Sequence, residues 1–215
     1  MGWFNIIKKM VVWFSLKYHK VYYHHVENIP QGKGCLVCCN HRSNWDPIFI
    51  YGPIKQKMYF MAKEELFKNK IFGGYLKKIG AIPVKRASSD ITAVKSCLRV
   101  LKEKKKPLMI FPTGTRNSSP EEVQDLKNGV ALFAIKACVP IVPMVIVRKP
   151  VIFRPNRLVI GEEIDISMYY GQKPTKEMFE DINSRLTKAM EDMLEKYSYK
   201  KKSKKSKQKT ENIEK

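Results

Sequence analysis

Carboxylates are the scarce charge in this chain: 20 Asp and Glu stand against 41 Lys and Arg in 215 residues, a formal excess of +21. That exceeds what solubility asks for and implies an anionic partner, whether a membrane surface, a nucleic acid or a phosphorylated small molecule. Arginine is sparse in its turn, confined to positions 42, 86, 99, 116, 148, 154, 157 and 185. In a chain dominated by lysine, each planar fork is a candidate for gripping phosphate or carboxylate. The five cysteines are an odd number. Cys35, Cys38 and Cys39 hold one C-x-x-C spacing, but no second pair and no spaced histidines complete a zinc site, so all five are expected to be reduced and buried and no metal is expected. The chain lacks a run approaching the roughly 20 apolar residues of a spanning helix, and no small-residue cleavage site follows its first apolar stretch. Ile6 stands where a myristoylation signal wants Ser or Thr. No internal repeat, RNP-like pattern or zinc-finger pattern is present, and nucleic acid is not an expected partner.

What is present begins with an amphipathic stretch. On a helical wheel residues 1–23 gather Trp3, Ile6, Ile7, Met10, Val11, Phe14, Tyr18 and Val21 on one side, with Asn5, Lys8, Lys9, Ser15, His19 and Lys20 on the other. Such a broad, basic wheel fits a helix lying in a membrane interface, with aromatics below the headgroups and lysines on the wet side. At the other end, residues 200–215 are a lysine-rich tail expected to be disordered. The length between suits one well-buried core. The organisation expected is therefore a membrane-interface segment over 1–30, a single domain over 31–199 and a basic tail over 200–215.

Within that domain, apolar runs and helical periodicities alternate. Residues 35–39, 58–62, 80–84, 108–111, 139–147 and 158–160 read as short strands. Helices are expected from 47, from about 90 with Ser88 or Ser89 as cap and Ile91, Val94, Leu98 and Leu101 as its apolar stripe, over 127–138, and over 175–197. Residues 63–78 form a basic segment broken by Gly73 and Gly74. Alternation of this kind predicts an α/β fold: one mixed, largely parallel central sheet flanked by helices, with its loops gathered at one sheet edge.

The stretch from Asn40 to Pro47 stands between the strand at 35–39 and the next helix. Either Ser43 caps that helix with Asp46 three residues on, or Asp46 caps it with Pro47 at the first helical position; both fix the carboxylate near the turn. His41 can then fold back onto it. A neutral imidazole held in one tautomer by a carboxylate is a general base, able to take a proton from a hydroxyl attacking an acyl carbonyl. Taken alone, the pair fits a plain helix cap beside a polar loop residue better. Two later stretches add to it. The strand at 80–84 ends in Lys85 and Arg86, and the strand at 108–111 ends in Pro112, Thr113, Gly114, Thr115 and Arg116, a loop that offers backbone N–H groups, two hydroxyls and a guanidinium to an anion.

These blocks resemble the 1-acylglycerol-3-phosphate acyltransferases, the PlsC-like enzymes that convert lysophosphatidic acid to phosphatidic acid. The family's N-H-x4-D block corresponds to residues 40–46, its glycine-strand-arginine block to 80–86, its F-P-E-G-T-R block to 111–116 and its V-P-x-x-P block to 139–143. The resemblance covers about residues 20–165. It implies that His41 deprotonates the glycerol hydroxyl while Asp46 orients it, with no covalent acyl-enzyme and no cofactor. It implies that Arg86 and Arg116 hold the acceptor's phosphate, that Gly114 and Thr115 shape the loop around it, and that the donor is an acyl-CoA or acyl carrier protein. Attachment to the cytoplasmic face of the cell membrane, peripheral or monotopic, is implied as well. The departure is Thr113, where the family usually carries glutamate; it puts the identity of the acceptor in question.

Overall fold

The computed structural model describes residues 17–18, 20–43, 46–51, 54, 56–85, 90–114 and 128–199. They build a seven-stranded sheet: β1 (Val21–His24), β2 (Leu36–Cys39), β3 (Tyr59–Lys63), β4 (Ala81–Val84), β5 (Leu108–Ile110), β6 (Ile141–Ile146) and β7 (Asn156–Ile160). Their spatial order is β1-β7-β6-β2-β5-β3-β4. Every neighbouring pair is parallel except β6 with β7, which form a hairpin. The helices are α1 (Asp46–Tyr51), α2 (Lys70–Ile79), α3 (Ile91–Lys102), α4 (Gly129–Ala137) and α5 (Lys176–Tyr197).

The sheet is covered on both faces, which is why its central strands are apolar throughout rather than alternating. Leu36 and Cys38 of β2 point into one core with α3, α4 and α5. Cys35, Val37 and Cys39 point into the other, with Phe49 and Ile50 of α1 and Leu76 of α2. All four residues of β2 and all six of β6 are buried. Strand β2 lies between β5 and β6, where the chain's connections diverge to either side. In an open α/β sheet such a switch point opens a crevice at the carboxyl ends of the strands.

Several local details differ from what the sequence suggested. The helix expected as far as residue 23 gives way at Lys20, whose φ is 45°, and Val21–His24 instead pair with β7 as an edge strand. Tertiary pairing of a β-branched residue and two tyrosines outweighs the helical wheel there. Gly73 and Gly74 do not break a helix; both lie within α2. A Cβ on Gly73 would come within 2.8 Å of the Phe67 Cα, so the glycine lets α2 pack directly on the short 3-10 turn Glu64–Phe67. Asp90, rather than Ser88 or Ser89, caps α3, its Oδ1 accepting from the Ala93 N–H at 2.9 Å. Cys35, Cys38, Cys39 and Cys97 are buried thiols as expected, but Cys138 is exposed. It ends α4 in the left-handed region at φ 54°, a conformation that turns it out of the core.

Candidate active site

The turn after β2 is built around one carboxylate oxygen. Asp46 Oδ2 accepts from the Arg42 N–H at 2.6 Å and the Ser43 N–H at 2.7 Å, and meets His41 Nδ1 at 2.8 Å. The Asp46 side chain is 0% exposed and that of His41 15%. The carboxylate therefore reaches back over the turn and does not cap α1 forwards: among the described residues Oδ1 has no hydrogen-bond partner. With the carboxylate ionised, Nδ1 carries the imidazole proton and Nε2 keeps its lone pair.

The turn is pinned to β6. The Asn40 side chain pairs with the backbone of Ile146 in both directions, Nδ2 donating to its carbonyl at 3.0 Å and Oδ1 accepting from its N–H at 2.8 Å. Arg42 Nε donates to the same carbonyl at 3.1 Å. Asn40 thus continues the β2–β6 ladder by one rung with its side chain, after which the backbone is free to turn. Arg42 is nearly buried, and burial pulls its pKa down while Asp46 and Cys39 oppose that shift. Burial, and then the Asp46 charge, push the Cys39 thiol well above its ordinary range, so this cysteine is an inert packing group.

The third wall comes from β5. The ring of Phe111, the residue after that strand, stacks on His41 with centroids 4.0 Å apart and planes 16° apart. Phe111 also begins a tight turn in which the Gly114 N–H returns to its carbonyl at 3.0 Å, and Gly114 adopts φ 69°, where a side chain is disfavoured. Thr113 is buried in this turn. Two strands adjacent to β2 thereby fix the imidazole: β6 through the turn's anchors, β5 through the ring beneath it.

A histidine and an aspartate so held, at the carboxyl edge of an α/β sheet beside a proline-glycine turn, are arranged to move a proton from a hydroxyl. A family model described as Acyltransferase matches residues 20–147. The chain belongs to the acyltransferase family. The 1-acyl-sn-glycerol-3-phosphate acyltransferase of Bacillus subtilis is 34% identical over 180 residues, covering 79% of this chain and 87% of that protein. The protein of the same description from Streptococcus pneumoniae is 38% identical over 125 residues, covering 57% of this chain but only 46% of its own length. Among solved structures, the lysophosphatidic acid acyltransferase PlsC of Thermotoga maritima superposes with a TM-score of 0.63 at 25% identity, over 94% of this chain and 86% of that one.

Of the residues singled out from sequence, the structure brings His41 and Asp46 into contact and places Thr113 and Gly114 in the turn begun by Phe111, whose ring stacks on His41. Arg86, Thr115 and Arg116 lie outside the described residues, as do the amphipathic stretch before residue 17 and the tail after 199. Asn40, Arg42 and Phe111 received no individual role from the sequence. Phe111 belongs to a recognised block, so its place in the motif was a usable signal. The anchoring of Asn40 and Arg42 was not visible locally, because their partner is more than 100 residues away. Among the described residues no three of His, Cys, Asp and Glu gather to hold a metal ion, and no helix is long and apolar enough to cross a membrane.

Proposed function

We propose that this acyltransferase moves a fatty acyl group from acyl-CoA or acyl carrier protein to the free hydroxyl of 1-acylglycerol 3-phosphate, giving phosphatidic acid. The observation that carries the reading is the 2.8 Å contact of His41 Nδ1 with the buried Asp46 Oδ2, which supports Nε2 as the base. Nε2 takes the proton of the acceptor hydroxyl as its oxygen attacks the thioester carbonyl carbon. When the tetrahedral intermediate collapses, the C–S bond breaks and the imidazolium returns the proton to the leaving thiolate. Asp46 stabilises the imidazolium and holds the ring's orientation. The acyl group passes directly between substrates.

Arg86 and Arg116 hold the acceptor's phosphate in this reading, with Thr115 and the Gly114 backbone lining the loop; bidentate guanidinium geometry favours phosphate. The residues preceding β1 and the tail following α5 attach the protein to an anionic membrane surface, on the cytoplasmic face of the cell membrane. A second acceptor, glycerol 3-phosphate or another lysolipid, is favoured by one observation, the buried Thr113 in place of the family's glutamate. An acyl-transfer assay on purified protein, with lysophosphatidic acid and glycerol 3-phosphate offered side by side, separates the two. Faster acylation of lysophosphatidic acid supports the first reading. Preferential acylation of glycerol 3-phosphate establishes the second, and turnover of neither refutes both of these acceptors and leaves another lysolipid.

A further inference from the structure

The loop joining β6 to β7 carries three consecutive apolar side chains to solvent. Val151, Ile152 and Phe153 are 46%, 56% and 65% exposed. Burying side chains like these is worth more than tenfold each in an equilibrium, so exposing three in a row needs a reason. Cations flank them: Lys149 and Arg154 are exposed, and residues 147–161 contain no carboxylate. The apex is also held stiffly. Phe153 adopts φ 63°, a left-handed conformation unfavourable for an aromatic residue. Arg154 N–H bonds the Val151 carbonyl at 3.2 Å and Phe153 N–H bonds the Tyr18 carbonyl at 2.6 Å. The Tyr18 ring meets Phe153 edge-on at 5.6 Å. Arg148 donates from Nη2 to the Pro155 carbonyl, tying the two legs of the loop.

Topology sets this apex at the same sheet edge as His41. β6 ends at Ile146, the residue that anchors Asn40 and Arg42. The start of β1 is there too, since Val21 pairs with Asn156 at the start of β7, and Tyr18 lies against Phe153 at the apex. The end of α5 arrives at the same place: the Tyr199 ring lies under Arg148 at 4.1 Å and Arg157 at 4.4 Å, and the lysine-rich tail begins at the next residue.

We propose that the apex of the β6–β7 hairpin, Val151, Ile152 and Phe153, inserts into an anionic bilayer, with Lys149 and Arg154 against its headgroups. This deepens the acyl-transfer reading by stating how the lipid acceptor's own membrane is brought to the His41 edge. Apolar residues at the very tip with cations behind them match a headgroup-over-hydrocarbon profile, whereas docking of an acidic protein would put the cations foremost.

The test uses the full chain with Cys138→Ser to remove the exposed thiol, and Ile152→Cys carrying an environment-sensitive nitrobenzoxadiazole label. Lys173→Cys is the control, placed before the start of α5 at that helix's far end from Tyr199. On vesicles of equal parts phosphatidylglycerol and phosphatidylcholine, the label at 152 should brighten and shift to shorter wavelength while that at 173 does not. Val151→Ser, Ile152→Ser and Phe153→Ser together should weaken partition to those vesicles by about tenfold or more. A silent label at 152, equal responses at both positions, or unchanged partition of the serine variant overturns the proposal. So does a response at 152 to acyl carrier protein with none to vesicles, which would assign the apex to a donor protein. Because the readout is vesicle contact, a chain inactive on lysophosphatidic acid would refute that acceptor and leave the insertion result standing.

Discussion

His41 lies flat against Phe111, the ring centroids 4.0 Å apart, although the two residues come from turns after different strands. Ring pairs of this kind contribute about 0.5–1.5 kcal/mol and constrain orientation as well. Phe111→Leu should therefore fold normally and lose roughly three- to tenfold in kcat, with little change in KM for either substrate. Unaltered kcat would show that the ring only fills space.

Asp46 carries three donors on one oxygen, so its removal acts on the turn as well as the imidazole. Asp46→Asn should cut acyl transfer by on the order of a hundredfold or more, because the amide supplies no charge to the imidazolium. His41→Ala should abolish transfer while circular dichroism and thermal unfolding stay close to the parent. Substantial turnover by a folded His41→Ala protein would falsify the general-base assignment.

For the proposed phosphate grip the discriminating variant is Arg116→Ala. A contact equally strong in ground and transition states raises KM for the acceptor alone, while a fall in kcat means that the guanidinium also positions the attacking hydroxyl. Arg116→Lys should restore only part of the loss, since an ammonium lacks the fork. If a lysolipid without phosphate is acylated as fast as lysophosphatidic acid, and Arg116→Ala changes neither constant, the phosphate is held elsewhere.

Asn40→Ala leaves the Ile146 N–H without its buried partner and removes one of two donors from the Ile146 carbonyl. The expected cost is about 1–3 kcal/mol of stability, measured by urea unfolding. Activity in the variant should drop further than Phe111→Leu at a temperature where both are folded. A stability equal to the parent's would mean that water replaces the side chain without loss.

The thiols give a test that does not depend on activity. Burial pushes the Cys35 and Cys97 thiols up to about 12, and those of Cys38 and Cys39 well above the ordinary thiol range. At pH 8 a thiolate-selective reagent should modify one cysteine rapidly in the native protein, Cys138, and all five in denaturant. Cys138→Ser should eliminate the fast phase; if it persists, one of the four buried thiols is more accessible than its burial indicates.

The strands were legible because both faces of the sheet are covered, which writes β2 and β6 as unbroken apolar runs. His41 and Asp46 were legible because they are five residues apart and their chemistry is local. The capping choice at Asp46 was not, since the direction in which a carboxylate turns depends on where the N–H groups of Arg42 and Ser43 point once the turn has closed. The helix through Gly73 and Gly74 was missed for a similar reason: the glycines look like breakers until the Phe67 backbone lies against them. β1 was hidden by a wheel that fits a helix equally well, because pairing with a strand more than 130 residues away leaves no local trace. Cys138 was misread because an apolar neighbourhood in sequence says nothing of a left-handed residue at a helix end.

The tie from Asn40 and Arg42 to Ile146 also sets an order of events during synthesis. The turn bearing His41 and Asp46 leaves the ribosome early, together with the half-sheet β2-β5-β3-β4, but one side of β2 stays bare until β6 has been made. β1, the first strand, waits longer still for β7. Long-range pairings like these form late in folding. A nascent chain stopped before residue 141 would therefore contain the whole motif and the Phe111 ring but none of the β6 anchors at Ile146, and the proposed proton-transfer pair is fully fixed only when most of the chain is already in place.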